Sequence, residues 1–119
     1  MQQDNQSQCP AASLIRGVEL LQEKWVLLIV DSLLKGPTGF NDLFRRAEAV
    51  NATTLSQRLA LMEKERLVVK TVHSTMPPRT SYELTDAGRA LGPVLEMIRT
   101  WSEQYLDQAR EPLKCPEAE

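Results

Sequence analysis

Leu14, Ile15, Val18 and Leu21 recur three and four residues apart, so residues 11–22 read as an amphipathic helix. A second helix is expected over residues 24–34, with Trp25, Leu28, Ile29 and Leu33 on its apolar side and Gly36-Pro37 as its stop. Phe40, Leu43 and Phe44 are spaced for a short third helix ending near Ala47. Asn51 can cap the next helix through its side-chain oxygen, and Leu55, Leu59 and Met62 then form a single stripe at i, i+4 and i+7. After Leu67 the period shortens toward two. Residues 68–72 and 80–84, rich in Val, Thr and Tyr, read as strands. Between them Ser74-Thr75-Met76-Pro77-Pro78-Arg79 reads as a loop too long for a tight two-residue turn. Thr85 caps a last helix, whose stripe of Leu91, Val94, Leu95, Ile98, Trp101 and Tyr105 is longer than a core of this size needs.

That order predicts a mainly α chain with a small antiparallel β wing, most simply a winged helix-turn-helix. A length of 119 residues fits one domain. It is expected over residues 9–108, between a disordered arm at 1–8 and a flexible tail at 109–119. Two apolar stripes are left over, Leu14/Ile15/Val18/Leu21 and Leu95/Ile98/Trp101/Tyr105. Either they pair with a second copy of the chain through its N- and C-terminal helices, or they cover the subunit's own core.

The segment 52–65 narrows the function. Its outward face carries Thr53, Gln57, Ala60 and Lys64, with Thr54, Ser56 and Arg58 at the margins. Such a face is polar, hydrogen-bonding and short of acids in its first turns, which suits a duplex groove better than bulk solvent. Thr53, Thr54, Ser56 and Gln57 are the candidate base readers: Gln can pair twice with adenine, and Thr offers a hydroxyl and a methyl that suits thymine. Arg45, Arg46 and Lys64 are candidates for phosphate. Arg58, nearer the buried stripe, is assigned to phosphate, or to guanine if it swings out. Arg79 follows two prolines that stiffen the wing and lower the entropy lost on docking. Each has an ordinary solvated residue as its alternative. One reading helix covers only a few base pairs, so a two-fold pair of them favours the homodimer.

Net charge is −2, which argues against a nucleic-acid partner until its distribution is considered. From Lys35 to Arg79 there are eight basic residues and four acidic ones, so a basic middle lies between acidic ends. No apolar stretch is long enough for a bilayer, and the polar start has no signal core, so a cytoplasmic protein is expected. Two Cys and one His, far apart, predict neither a disulfide framework nor a metal site, and no cofactor is expected. Nor is there a catalytic carboxylate pair, a Gly-rich phosphate loop, or a Ser-His-Asp or Cys-His set, so an enzyme is not expected. The rival is a winged helix used for protein–protein contact without DNA. It should show apolar anchors on the reading face, where only Leu61 dissents.

Five pieces in register carry a family resemblance. They are Cys9-Pro10, Lys24-Trp25, Gly36-Pro37-Thr38-Gly39-Phe40-Asn41-Asp42-Leu43, Thr54-Leu55-Ser56-Gln57-Arg58-Leu59, and Pro77-Pro78-Arg79-Thr80-Ser81-Tyr82-Glu83-Leu84-Thr85-Asp86-Ala87-Gly88. Together they resemble the HxlR family of winged helix-turn-helix regulators, related to the MarR group. The resemblance implies a homodimeric transcription regulator, read as a repressor on a pseudo-palindromic operator, with a recognition helix in the major groove and a wing arginine near the minor groove or backbone. Some members of that family sense electrophiles or oxidants through a cysteine near the N-terminus, at a position like Cys9. If Pro10 opens the first helix, Cys9 caps it, and the helix dipole favours thiolate. An oxidised link from Cys115 to a second copy's Cys9 is the form a switch would take, and a free thiol without a task is the alternative. Glu23 and Arg66 depart from the pattern where the family commonly has glycine, and Leu61 where a charge is common. If Arg66 is left-handed it costs about 1 kcal/mol relative to Gly.

Overall fold

The computed structural model describes residues 11–47 and 50–106. The expectations for the arm at 1–8, the tail at 109–119, Cys9 and Cys115 lie outside the described residues. The chain runs α1 (Ala12–Leu21), α2 (Val26–Leu33), β1 (Thr38–Gly39), α3 (Phe40–Arg46), α4 (Ala52–Lys64), β2 (Val68–Thr75), β3 (Pro78–Leu84), α5 (Asp86–Arg89) and α6 (Gly92–Tyr105). The three strands form one antiparallel sheet in the order β1-β3-β2.

The core forms where three apolar stripes converge on α2. Val26, Ile29, Val30 and Leu33 of α2 meet Leu43 of α3, Leu55, Leu59 and Met62 of α4, and Val68, Tyr82 and Leu84 of the sheet. Each fully buried aliphatic side chain here stabilises the fold by about 1.5–3 kcal/mol. Leu28, expected on the apolar side of α2, instead points outward, and Trp25 lies in the turn before α2 with φ 80°. Arg99 of α6 bridges to Asp31 of α2 at 3.2 Å, placing the last helix against the second.

Local sequence explains the ends of α4. Asn51 adopts extended backbone and its side chain accepts from Thr54 N at 2.8 Å, the cap its residue type predicts. At the other end Leu67 N donates to Met62 O and Arg66 N to Glu63 O, with Arg66 left-handed at φ 64°. This pair of bonds is a Schellman closure, and Leu67 and Met62 make its hydrophobic contact inside the core.

Three elements differ from expectation. β1 went unpredicted, because Gly36-Pro37-Thr38-Gly39 reads only as a turn; two of its residues nevertheless pair with Tyr82 and Ser81. The wing is longer than expected: the strands continue to Thr75 and from Pro78, leaving Met76-Pro77 as a two-residue turn where a six-residue loop was expected. Pro78 is tolerated because it opens its strand, where its missing N–H breaks little of the ladder. The last helix is divided. Thr85 caps the single turn α5 by accepting from Gly88 N, and α6 starts afresh with Pro93 in its first turn, where a residue without N–H fits best.

Candidate nucleic-acid interface

α4 turns its two faces as its sequence requires. Leu55, Leu59 and Met62 are each no more than 1% exposed, whereas Thr53, Ser56, Gln57, Ala60 and Lys64 are exposed on the opposite side. Thr54 is half-buried, its backbone N–H held by the Asn51 cap. Leu61 packs partly against the core and so supplies no apolar anchor on the outward face.

The wing and α3 build a separate cleft. Arg45, Asn41 and Asp42 from α3 face His73 from β2 and Arg79, Thr80 and Ser81 from β3 across an open cleft of about 780 Å³. Arg79 is exposed one residue past the start of β3, and Arg45 is exposed while paired with Asp42. His73 Nε2 shares a hydrogen bond of 2.8 Å with Ser81 Oγ, which fixes the imidazole at the cleft wall. Asn41 and Ser81 were not among the sequence candidates, because only the fold brings α3 beside the wing. The cleft therefore presents two guanidinium groups and several hydrogen-bond donors against a single carboxylate, a composition suited to a phosphodiester.

Two arginines do not sit as expected. Arg58 is drawn off the outward face: its Nε donates to the Lys24 carbonyl at 2.8 Å, because the turn between α1 and α2 passes beside its position on α4. Arg46 is half-buried, with Nη1 enclosed, so its guanidinium is less available to a phosphate than that of Arg45.

The apolar stripes also divide. Leu14, Ile15 and Val18 are exposed, and α1 has no fully buried residue. Ile98, Trp101 and Tyr105 are exposed on α6, with the Trp101 and Tyr105 rings 6.0 Å apart. Leu95, in contrast, is buried in the subunit's own core and Leu21 packs against it, because each lies on the side of its helix that faces the rest of the subunit.

A helix-turn-helix followed by a β wing, with a polar face on the second helix, defines a winged helix-turn-helix transcriptional regulator. Residues 20–110 match the family model described as HxlR-like helix-turn-helix, and the chain belongs to the HxlR family. It is 36% identical over 104 residues to the HTH-type transcriptional regulator YvaP of Bacillus subtilis, covering 87% of this chain and 94% of YvaP. The reduced form of the regulator YodB from B. subtilis superposes with a TM-score of 0.72 at 27% identity, covering 84% of this chain and 96% of YodB. A MarR-family regulator from Enterococcus faecalis gives a TM-score of 0.73 at 27% identity, covering 90% of this chain and 97% of that one. These relatives are transcriptional regulators and not enzymes. No helix among the described residues is long and apolar enough to cross a membrane.

Proposed function

We propose that this regulator binds a pseudo-palindromic double-stranded operator as a homodimer and represses transcription from it in the cytoplasm. α4 enters the major groove, with Thr53, Ser56 and Gln57 at base edges and Thr54 at the margin. Lys64 and Arg45 hold phosphates, and Arg79 brings the wing to the neighbouring backbone or minor groove. The observation that carries this reading is the outward polar face of α4 set against an inward stripe of Leu55, Leu59 and Met62. Two such helices related by a two-fold axis read half-sites about 34 Å apart or a multiple of that. Exposed Leu14, Ile15 and Val18 with Ile98, Trp101 and Tyr105 supply the surface for pairing.

Response to an oxidant or electrophile through Cys9 belongs to the same proposal. Its support is the likeness to YodB, which has been solved reduced, quinone-bound and diamide-treated. Mass spectrometry after mild diamide treatment, beside DNA binding by Cys9→Ser, tests it, and oxidant-blind binding ends that part of the reading.

A base-substitution scan of an enriched duplex tests the DNA assignment. Gln57→Ala should lose about 1–3 kcal/mol at particular positions only. Arg79→Ala should weaken binding to every sequence and reduce the salt slope by about 1. Equal losses on all sequences for Gln57→Ala would remove it from the base readers.

A further inference from the structure

Arg58 leaves the outward face of α4 and reaches the turn between α1 and α2. Its Nε donates to the Lys24 carbonyl at 2.8 Å, and its Nη2 lies 3.9 Å from Glu23 Oε1. The side chain is 23% exposed, far less open than Arg45 at 71%. The turn it grips is itself constrained. Trp25 sits in the left-handed region at φ 80°, which a bulky residue rarely adopts, and packs against the core. Lys24 Nζ lies 5.1 Å from the Trp25 ring centroid on the same turn. The guanidinium thus joins the middle of α4 to the turn that follows α1, a helix that packs only Leu20 and Leu21 against the core and offers Leu14, Ile15 and Val18 outward.

We propose that Arg58 is a positioning residue: it latches the reading helix to the α1–α2 turn, so that α4 follows α1, and it does not contact DNA. This rests on the DNA-binding reading of α4. Displacement of α1 at the pairing surface is then passed to the reading helix through one side chain. The planar guanidinium fork can meet a carbonyl and a carboxylate together, whereas a lysine in its place keeps the charge and loses that geometry. Arg58→Lys therefore separates a latch from a phosphate contact.

Two measurements on the full chain test this. The first needs no DNA: amide hydrogen exchange of Arg58→Lys against the wild type. Exchange should quicken at Glu23, Val26 and the first half of α4, with the β3 amides of Tyr82 and Leu84 unchanged as the control for intact folding. Exchange unchanged throughout overturns the latch. The second is affinity for the duplex that the wild type enriches from a random-sequence library, followed across salt. Arg58→Lys should bind about ten- to a hundredfold more weakly, the loss of one hydrogen bond to a charged group, with the salt slope unchanged. Glu23→Gln should show a smaller loss of the same kind that does not add to that of Arg58→Lys. Affinity retained in Arg58→Lys, or a slope reduced by about 0.9 in Arg58→Ala, overturns the proposal, the latter by marking a phosphate contact. If the wild type enriches no duplex, the DNA reading fails while the exchange result still decides the latch.

Discussion

Arg66 closes α4 in a conformation that suits glycine, and its side chain is exposed. Arg66→Gly should therefore raise unfolding stability in denaturant by about 1 kcal/mol. No gain would mean that the side chain offsets its own backbone cost. Tyr82 makes a second residue-level prediction. Its pKa is raised above the ordinary 10.0, chiefly because burial penalises the phenolate and next because Glu63 repels it, against an opposing hydrogen bond with Thr80. The folded chain then keeps a proton that the unfolded chain releases. Stability should stay intact below the unfolded value, fall as pH climbs from there, and level off above the folded value. Denaturant melts at rising alkaline pH should show that fall blunted in Tyr82→Phe; an equal fall in both would deny Tyr82 the role. At this scale the sequence was legible where periodicity dictates direction. Leu55, Leu59 and Met62 turned inward, and Thr53 and Gln57 outward, as their spacing requires. Arg58 was not legible, because a margin position is decided by a neighbour 34 residues away in the chain.

Elements were readable when a cap or breaker acts locally and misread when tertiary packing decides. Asn51 marked the start of α4, and Gly36-Pro37 the region where α2 stops. The wing prolines looked like loop formers, but a proline opening a strand leaves the ladder able to continue, so the hairpin closes over Met76-Pro77. The division of α5 from α6 was hidden for a different reason. Gly88 sits where an added Cβ would lie 2.4 Å from the Leu67 carbonyl and 2.8 Å from Leu84 Cδ2. A backbone carbonyl cannot yield as a flexible side chain can, so Gly88→Ala should destabilise by about 1–3 kcal/mol through displacement of α5 from the sheet. Thermal unfolding measures this, and a wild-type midpoint would show that α5 moves freely.

For the whole molecule, the surfaces separate by chemistry. The outward face of α4 and the Arg45–His73–Arg79 cleft carry hydrogen-bonding and basic groups, and exposed apolar residues are carried on α1 and α6. Charge summed over the chain concealed this, since a net −2 averages a basic middle with acidic ends. The paired state should depend on the α6 stripe: Trp101→Asp should sediment as a monomer and lose operator affinity, while keeping the wild-type circular dichroism. A Trp101→Asp protein that stays dimeric would move the pairing surface elsewhere. The claim on which the rest depends is that α4 presents its polar face to duplex DNA. Titrating isotope-labelled chain with its enriched duplex and following amide shifts by NMR examines that face directly. The account predicts the largest shifts at Thr53, Ser56, Gln57 and Arg79, with α1 and α6 little changed. Shifts confined to α1 and α6, with Thr53 and Gln57 still, would contradict it.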